Sequence, residues 1–103
     1  MKGLPNIQKM LKAAQEMQAK LQQELAELRV EGSSGGGMVT VELDGHKNII
    51  SLKIDPEVVN PQEVEMLQDL IIAAYSEAAA RVNETIAEKL QALGPGFNLP
   101  GLF

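Results

Sequence analysis

The sequence contains no cysteine, which excludes disulfide bridges, thiolate metal sites and cysteine nucleophiles. Aromatic side chains make up only 3% of the 103 residues, and this scarcity disfavours recognition of single-stranded nucleic acid by base stacking. No apolar run approaches the roughly 18 residues of a membrane span, and the first residues lack a signal-peptide pattern. We therefore expect a cytoplasmic protein that does not contact a membrane.

The net charge of −5 is distributed unevenly along the chain. Residues 1–20 carry four lysines and one glutamate, whereas the remaining residues carry 5 basic and 13 acidic side chains. A basic first segment attracts phosphate groups and an acidic remainder repels them, so this asymmetry favours one docking orientation on a polyanion. The four lysines of the first segment are Lys2, Lys9, Lys12 and Lys20.

The residue inventory offers no catalytic constellation. His46 is the single histidine and falls in a predicted turn, without a second histidine or a cysteine to complete a metal site. The glycine-rich stretch Ser33–Gly37 lacks the Lys-Ser/Thr ending of a P-loop and does not open a helix. We expect a non-enzymatic protein with no metal, no cofactor and no small-molecule substrate.

The first part of the chain predicts a helix over residues 6–29, with Asn6 as its N-cap. Its apolar residues recur at steps of three and four, close to the heptad spacing of a coiled coil, which suits packing against another long helix. These residues are Ile7, Met10, Leu11, Ala14, Met17, Leu21, Leu25 and Leu28.

The middle of the chain predicts a small antiparallel sheet of three strands. A short strand over Val30–Gly32 is followed by the flexible connection Ser33–Gly37, and a hairpin turn at Asp44–Lys47 separates the second and third strands. Alternation of apolar and polar residues predicts one buried face. Its members are Val39, Val41 and Leu43 on the second strand and Ile50, Leu52 and Ile54 on the third.

A second helix is predicted from Pro61 to Leu93, with Asn60 and Glu63 as a capping pair. At 33 residues it would be about 50 Å long, far more than a six-residue strand covers, and its middle is apolar nearly all round. This excess predicts a homodimer, although packing of the first helix on the second accounts for part of the burial. The expected interface comprises Leu67, Leu70, Ile71, Ala74, Tyr75 and Ala78.

These elements predict an α+β subunit in which two long helices enclose a small sheet. We expect one domain over residues 1–93. Residues 94–103 contain proline and glycine without a hydrophobic period, so we expect a tail that is loose or docked on a partner surface.

Several segments together, in this order, resemble the YbaB/EbfC family of nucleoid-associated proteins, and the resemblance covers nearly the whole chain. Each segment is weak evidence by itself, whereas the ordered set is specific. The segments are residues 28–32, 35–41, 43–45, 54–57, 65–70, 73–78 and 99–103.

The resemblance implies an α-β-β-β-α subunit that pairs into a tweezer-shaped homodimer, located at the nucleoid, whose helical projections grip DNA and influence gene expression. Two departures imply weaker binding than in more basic members: Ala80 stands beside Arg81 where some relatives carry a second basic residue, and the remainder of the chain is acidic. The positions expected to contact DNA are Lys2, Lys9, Lys12, Lys20, Arg81 and Lys89.

Two functional hypotheses follow. In the first, a dimer binds duplex DNA with little sequence specificity and alters its conformation. The lysines of a single helix would ordinarily form a solvent-exposed face, but a dimer presents two such helices and doubles the positive charge available for phosphate contacts. In the second, the dimer is a protein-interaction or scaffolding module that acts through the acidic second helix and the apolar tail residues Phe97, Leu99, Leu102 and Phe103.

Overall fold

The computed structural model describes the backbone of residues 4–92 and the side chains of residues 6–92. The predicted order of elements is confirmed as an α-β-β-β-α subunit of the α+β class. Lys2 and the predicted tail over residues 94–103 lie outside the described residues. The elements are α1 (Leu4–Glu27), β1 (Val30–Ser34), β2 (Val39–Leu43), β3 (Ile49–Ile54) and α2 (Val64–Ala92).

The three strands form an antiparallel sheet in the order β1-β2-β3. β1 is longer than predicted because Ser33 and Ser34 pair with Thr40 and Val39 and so belong to the strand. The connection itself is a single 3₁₀ turn over Gly35–Gly37, in which all three glycines have positive φ.

The buried face predicted for β3 is wrong at Ile50 and Leu52, which are 46% and 43% exposed. The register shifts between Glu42 and Leu43, so that Ile49 lies opposite Leu43 while Leu52 lies opposite Val41. Ile50 is therefore the extra residue of a bulge. α2 lies over β1 and β2, and β3 remains largely uncovered, which leaves Ile49 55% exposed and Leu52 43% exposed.

The core lies between α2 and the first two strands. Val39, Val41 and Leu43 of β2 are wholly buried beneath Ala74, Ala78 and Val82 of α2, as the alternation along β2 predicts. The helix approaches β1 at Gly32, where a Cβ atom would lie closer than 3.0 Å to the backbone of Ala74 and Ala78. A side chain at this position would push the helix away from the sheet.

Both helices begin elsewhere than predicted. α1 begins at Leu4, so Asn6 lies inside the helix instead of capping it. α2 begins at Val64 instead of Pro61, because the Asn60 carboxamide oxygen accepts the Gln62 N–H at 3.0 Å and the Asn60 carbonyl accepts the Glu63 N–H at 2.9 Å. These bonds close a separate turn before the helix.

The C-terminal end of α1 is fixed to the hairpin between β2 and β3. The Gly45 N–H donates to the Leu25 carbonyl at 2.7 Å, and Leu25 itself is buried. The positive φ of this hairpin belongs to Lys47, at 65°, and not to Gly45. Gly45 is required for a different reason, since a Cβ atom there would lie closer than 3.0 Å to the backbone of Leu25.

Asp44 organises this hairpin from a buried position. Its Oδ1 accepts the backbone N–H groups of His46 at 2.8 Å and Asn48 at 3.0 Å, and its Oδ2 accepts the Asn48 amide at 3.1 Å. Burial by itself raises the pKa of Asp44, but the hydrogen bonds from Asn48 and His46 outweigh it and hold the pKa below 3.8. The carboxylate is therefore charged at neutral pH.

Beyond the hairpin, α1 leaves the rest of the subunit. Leu25 shares one core cluster with Val82, Ile86 and Leu90 of α2, and Leu21 packs against that cluster. By contrast, every described side chain from residue 6 to residue 20 is exposed. We call residues 6–20 the free segment of α1, and the sheet together with α2 the body; the whole measures 75 × 21 × 16 Å.

Candidate nucleic-acid interface

The free segment of α1 carries the exposed basic side chains of one helix face. Lys9, Lys12 and Lys20 are all exposed, and steps of three and eight residues place them on one side of the helix. At 1.5 Å per residue they span about 17 Å along the helix axis. Glu16 lies on the same side, four residues from both Lys12 and Lys20. We call this side the α1 lysine face.

The opposite side of the free segment is apolar. Ile7 is 50% exposed, Met10 68%, Leu11 59% and Met17 50%, so no described residue covers them. We call these four side chains the α1 apolar stripe. The apolar period that predicts the helix continues from the stripe to Leu21 and Leu25, which pack on the core, whereas the stripe itself does not.

Arg81, which the sequence places among the DNA-contacting residues, has partners within the subunit. Its guanidinium lies 3.0 Å from the Glu77 carboxylate and donates to the Glu31 carbonyl at 3.1 Å. It thereby joins the edge strand β1 to α2. Lys89 is exposed in the last turn of α2, directly after Glu88.

On the free segment of α1 exposed lysines outnumber glutamates by three to one, whereas acidic side chains prevail on α2. α2 carries five acidic side chains against Arg81 and Lys89, and Arg81 is paired with Glu77. A negatively charged ligand is therefore attracted to the free segment and repelled from the exposed side of the body. The acidic residues of α2 are Glu65, Asp69, Glu77, Glu84 and Glu88.

The residues expected at a dimer interface fall into two groups. Ala74 and Ala78 are wholly buried against β1 of the same chain, which leaves no surface on them for a second subunit. The other four are partly buried on α2, where the Tyr75 hydroxyl donates to the Lys47 carbonyl at 3.3 Å in the β2–β3 hairpin and the Leu70 carbonyl accepts the Ser34 hydroxyl at 2.6 Å at the end of β1. The four are Leu67, Leu70, Ile71 and Tyr75.

Sequence reasoning missed exposed apolar side chains on the body. Ile49, Ile50 and Leu52 of β3 are each 43–55% exposed, and Ile72 of α2 is 62% exposed. A strand of alternating pattern signals burial of one face, but it does not tell which strand of the sheet the helix leaves uncovered. The signal that was available is the unbroken apolar pair Ile49–Ile50, where strict alternation fails.

The described part of the chain shows no arrangement suited to catalysis at a metal. His46 is exposed, and among residues 4–92 no three His, Asp or Glu side chains converge on a point where they could hold a metal ion. None of the helices described is both long and apolar enough to cross a membrane.

Comparison with known proteins places the chain in a family of DNA-binding proteins. The model of the YbaB/EbfC DNA-binding family matches residues 1–97, and the chain belongs to this family. The resemblance stated from the sequence is thus confirmed.

Curated relatives match over essentially the full length of the chain. A nucleoid-associated protein of Alkaliphilus metalliredigens is 47% identical, with 100% of this chain and 93% of the relative covered. A nucleoid-associated protein of a Geobacillus species is 50% identical, with 98% and 96% covered. Among solved structures, an uncharacterized protein of Helicobacter pylori superposes with a TM-score of 0.72 at 22% identity, covering 85% of this chain and 94% of the other, and it shows the fold alone.

Proposed function

We propose that this protein is a nucleoid-associated protein that binds double-stranded DNA through the α1 lysine face, with little regard for base sequence. The observation that carries the proposal is the set of three exposed ammonium groups, Lys9, Lys12 and Lys20, within about 17 Å on a helix that projects from an acidic body. Membership of a DNA-binding family supports the same ligand.

The chemistry of this face suits phosphate better than base edges. Lysine presents a compact point charge, and phosphate contacts position a protein on the duplex without reading its sequence. Arginine, which reads guanine by paired hydrogen bonds, does not occur between residues 4 and 27 of α1. The α1 lysine face therefore supports recognition of the backbone of any duplex.

Two copies of α1 on one duplex would give up to six such contacts, so the proposal includes a homodimer. Its support is the exposed apolar surface formed by β3 and the neighbouring flank of α2, where Ile49, Leu52 and Ile72 are each 43–62% exposed. Burial of such side chains contributes about 25 cal/mol per Å². In a closed pair, residues buried within each body, Ala74 and Ala78 included, keep their own partners.

Fluorescence anisotropy on two unrelated 20-base-pair duplexes tests the DNA proposal. With four to six phosphate contacts per dimer, a fourfold rise in salt should weaken binding by roughly two to three orders of magnitude, equally for both duplexes. The variant Lys12→Gln should lower the slope of log affinity against log salt by about 2, because each dimer loses two contacts.

The matched control is Lys53→Gln, which removes the same charge from an exposed position on β3. This variant should bind both duplexes with almost unchanged affinity and salt slope. Equal losses in Lys12→Gln and Lys53→Gln would show that only net charge matters and would remove α1 from the proposal. Retention of a stoichiometric protein partner without any affinity for DNA would favour the interaction-module hypothesis.

Sedimentation tests the dimer separately from DNA binding. Leu52→Asp places a charge on the uncovered face of β3 and should shift the protein from dimer to monomer. Lys53→Asp introduces the same carboxylate on the opposite face of the same strand, and this variant should sediment as the parent does. A parent protein that sediments as a monomer would contradict the dimer.

A further inference from the structure

The α1 apolar stripe has no partner among the described residues, although it continues the same helix face that buries Leu25. Met10 and Leu11 are 68% and 59% exposed, and the two flanking members, Ile7 and Met17, are each 50% exposed. An exposed apolar row of this length on one helix face is typical of a surface that binds another apolar segment, as in helix-in-groove and coiled-coil pairs.

The course of α2 brings the chain to the core cluster from which α1 departs. Arg81 contacts Glu31 near the start of β1, and α2 continues from there through Ile86 and Leu90, which are buried in the same core cluster as Leu25. α2 ends at Ala92, about 16 Å beyond Arg81. Leu90, two residues before this end, shares one core cluster with Leu25 of α1.

Residues 93–103 continue from Ala92 and lie outside the described residues. They contain no charged side chain and include both phenylalanines of the chain. Eleven residues span at most about 36 Å, whereas Ile7, the far end of the stripe, lies about 27 Å along α1 from Leu25. The segment is therefore long enough to reach every member of the stripe. Its large apolar residues are Leu93, Phe97, Leu99, Leu102 and Phe103.

We propose that residues 97–103 bind to the α1 apolar stripe of the same chain. The segment and the stripe match in chemistry, because both are apolar and neither carries a charged side chain. Covalent connection gives the segment an effective concentration in the millimolar range, which favours it over a second copy of α1. Because the stripe lies opposite the α1 lysine face, this docking leaves Lys9, Lys12 and Lys20 open, and it does not depend on DNA binding.

Oxidation of the methionines by hydrogen peroxide, followed by mass spectrometry, tests the docking on the full chain. Met10 and Met17 belong to the stripe, and Met66 on α2 serves as an internal control because it is 43% exposed. Docking protects Met10 and Met17, so the variant Phe97→Ser/Phe103→Ser should raise their oxidation rates about threefold or more and leave Met66 unchanged. Unchanged rates at Met10 and Met17 would overturn the proposal, as would protection that increases with protein concentration, the result expected if a second copy covers the stripe.

Engineered cysteine pairs provide a second test, since the chain has no cysteine of its own. Met10→Cys with Leu99→Cys should form an intrachain disulfide at least about tenfold faster than Lys12→Cys with Leu99→Cys, because Lys12 lies on the opposite face of α1. Equal rates for the two pairs would overturn the proposal, and so would disulfides that link two chains instead of one.

Discussion

The body and the free segment of α1 are built from similar apolar patterns but end in opposite environments. In the body, Val41, Ala78 and Val82 have no exposed surface, and α2 approaches β1 so closely that only glycine fits at position 32. In the free segment, the same helical spacing leaves Met10 and Leu11 more than half exposed. Stability is therefore concentrated in the body, whereas the lysines proposed to contact DNA lie on the free segment. Substitutions should affect one of these properties without the other.

The largest effect is expected at the contact between β1 and α2. Gly32→Ala would place a Cβ atom closer than 3.0 Å to the α2 backbone at Ala74 and Ala78, which cannot move as a side chain does. We expect the free energy of unfolding to fall by about 3 kcal/mol or more, measured by urea denaturation.

Gly36→Ala is the matched control for this substitution. No atom lies within 4 Å of the added Cβ there, although its φ of +67° disfavours alanine. The expected loss is about 1 kcal/mol. A Gly32→Ala protein as stable as Gly36→Ala would mean that α2 is free to move away from β1.

A smaller loss of stability is expected at the joint between the body and α1, which is the contact of Gly45 with Leu25. Gly45→Ala sets a Cβ atom against the Leu25 backbone and disturbs the 2.7 Å bond from the Gly45 N–H to the Leu25 carbonyl. We expect a loss of about 2 kcal/mol, with amide hydrogen exchange accelerated in α1 but not in α2. Equal acceleration in both helices would show that the joint and the body unfold as one unit.

The Asp44 carboxylate in the hairpin should contribute less to the free energy of unfolding, and its contribution should depend on pH. Asp44→Asn keeps the size of the side chain but removes the charge that three N–H donors approach, so we expect a loss of about 1–2 kcal/mol at pH 7. The pKa of Asp44 is lower in the folded state than the ordinary value of 3.8. Its contribution is therefore complete above that value and disappears as the pH falls through the folded pKa.

Thermal melts between pH 2 and pH 7 measure the difference in stability between the parent and Asp44→Asn. The melting temperatures of the two proteins should differ by a constant amount above about pH 5 and converge below pH 4, since 3.8 is the ordinary pKa of the group. A gap that widens as the pH falls would contradict the sign of the effect.

The smallest effect on stability, and an increase in binding, is expected at Glu16. This carboxylate lies on the α1 lysine face between Lys12 and Lys20, where it repels phosphate. Under the proposed function, Glu16→Gln should strengthen binding to a 20-base-pair duplex about threefold to tenfold at low salt. Glu57→Gln, an exposed substitution outside α1, should leave the affinity unchanged; an equal gain in both variants would point to net charge alone.

The sequence predicts the elements of the fold well and their junctions less well. The apolar period of three and four along α1, and the alternation of Val39, Val41 and Leu43, respond to burial, so they locate helix and strand. The junctions depend on hydrogen bonds that no local pattern records. Asn60 is of a residue type that commonly caps helices, yet its hydrogen bonds close a separate turn before α2 begins.

The candidate site divides in the same way. Exposure of Lys9, Lys12 and Lys20 follows from their position opposite an apolar period, so helix geometry was sufficient to find them. The engagement of Arg81 with Glu31 joins residues 50 positions apart, and only the packing of α2 on β1 brings them together. Long-range contacts of this kind decide which basic residues remain open, and spacing along the chain does not contain that information.

The joint at Leu25 and Gly45 also determines how precisely the lysines are aimed. Lys9 stands sixteen residues from Leu25, so α1 acts as a lever about 24 Å long that is held at one end. A tilt of about 10° at the joint moves the Lys9 ammonium by about 4 Å, slightly more than the rise of one base pair, 3.4 Å. A small rotation about this buried hydrogen bond is therefore enough to move the Lys9 ammonium from one base pair of a duplex to the next.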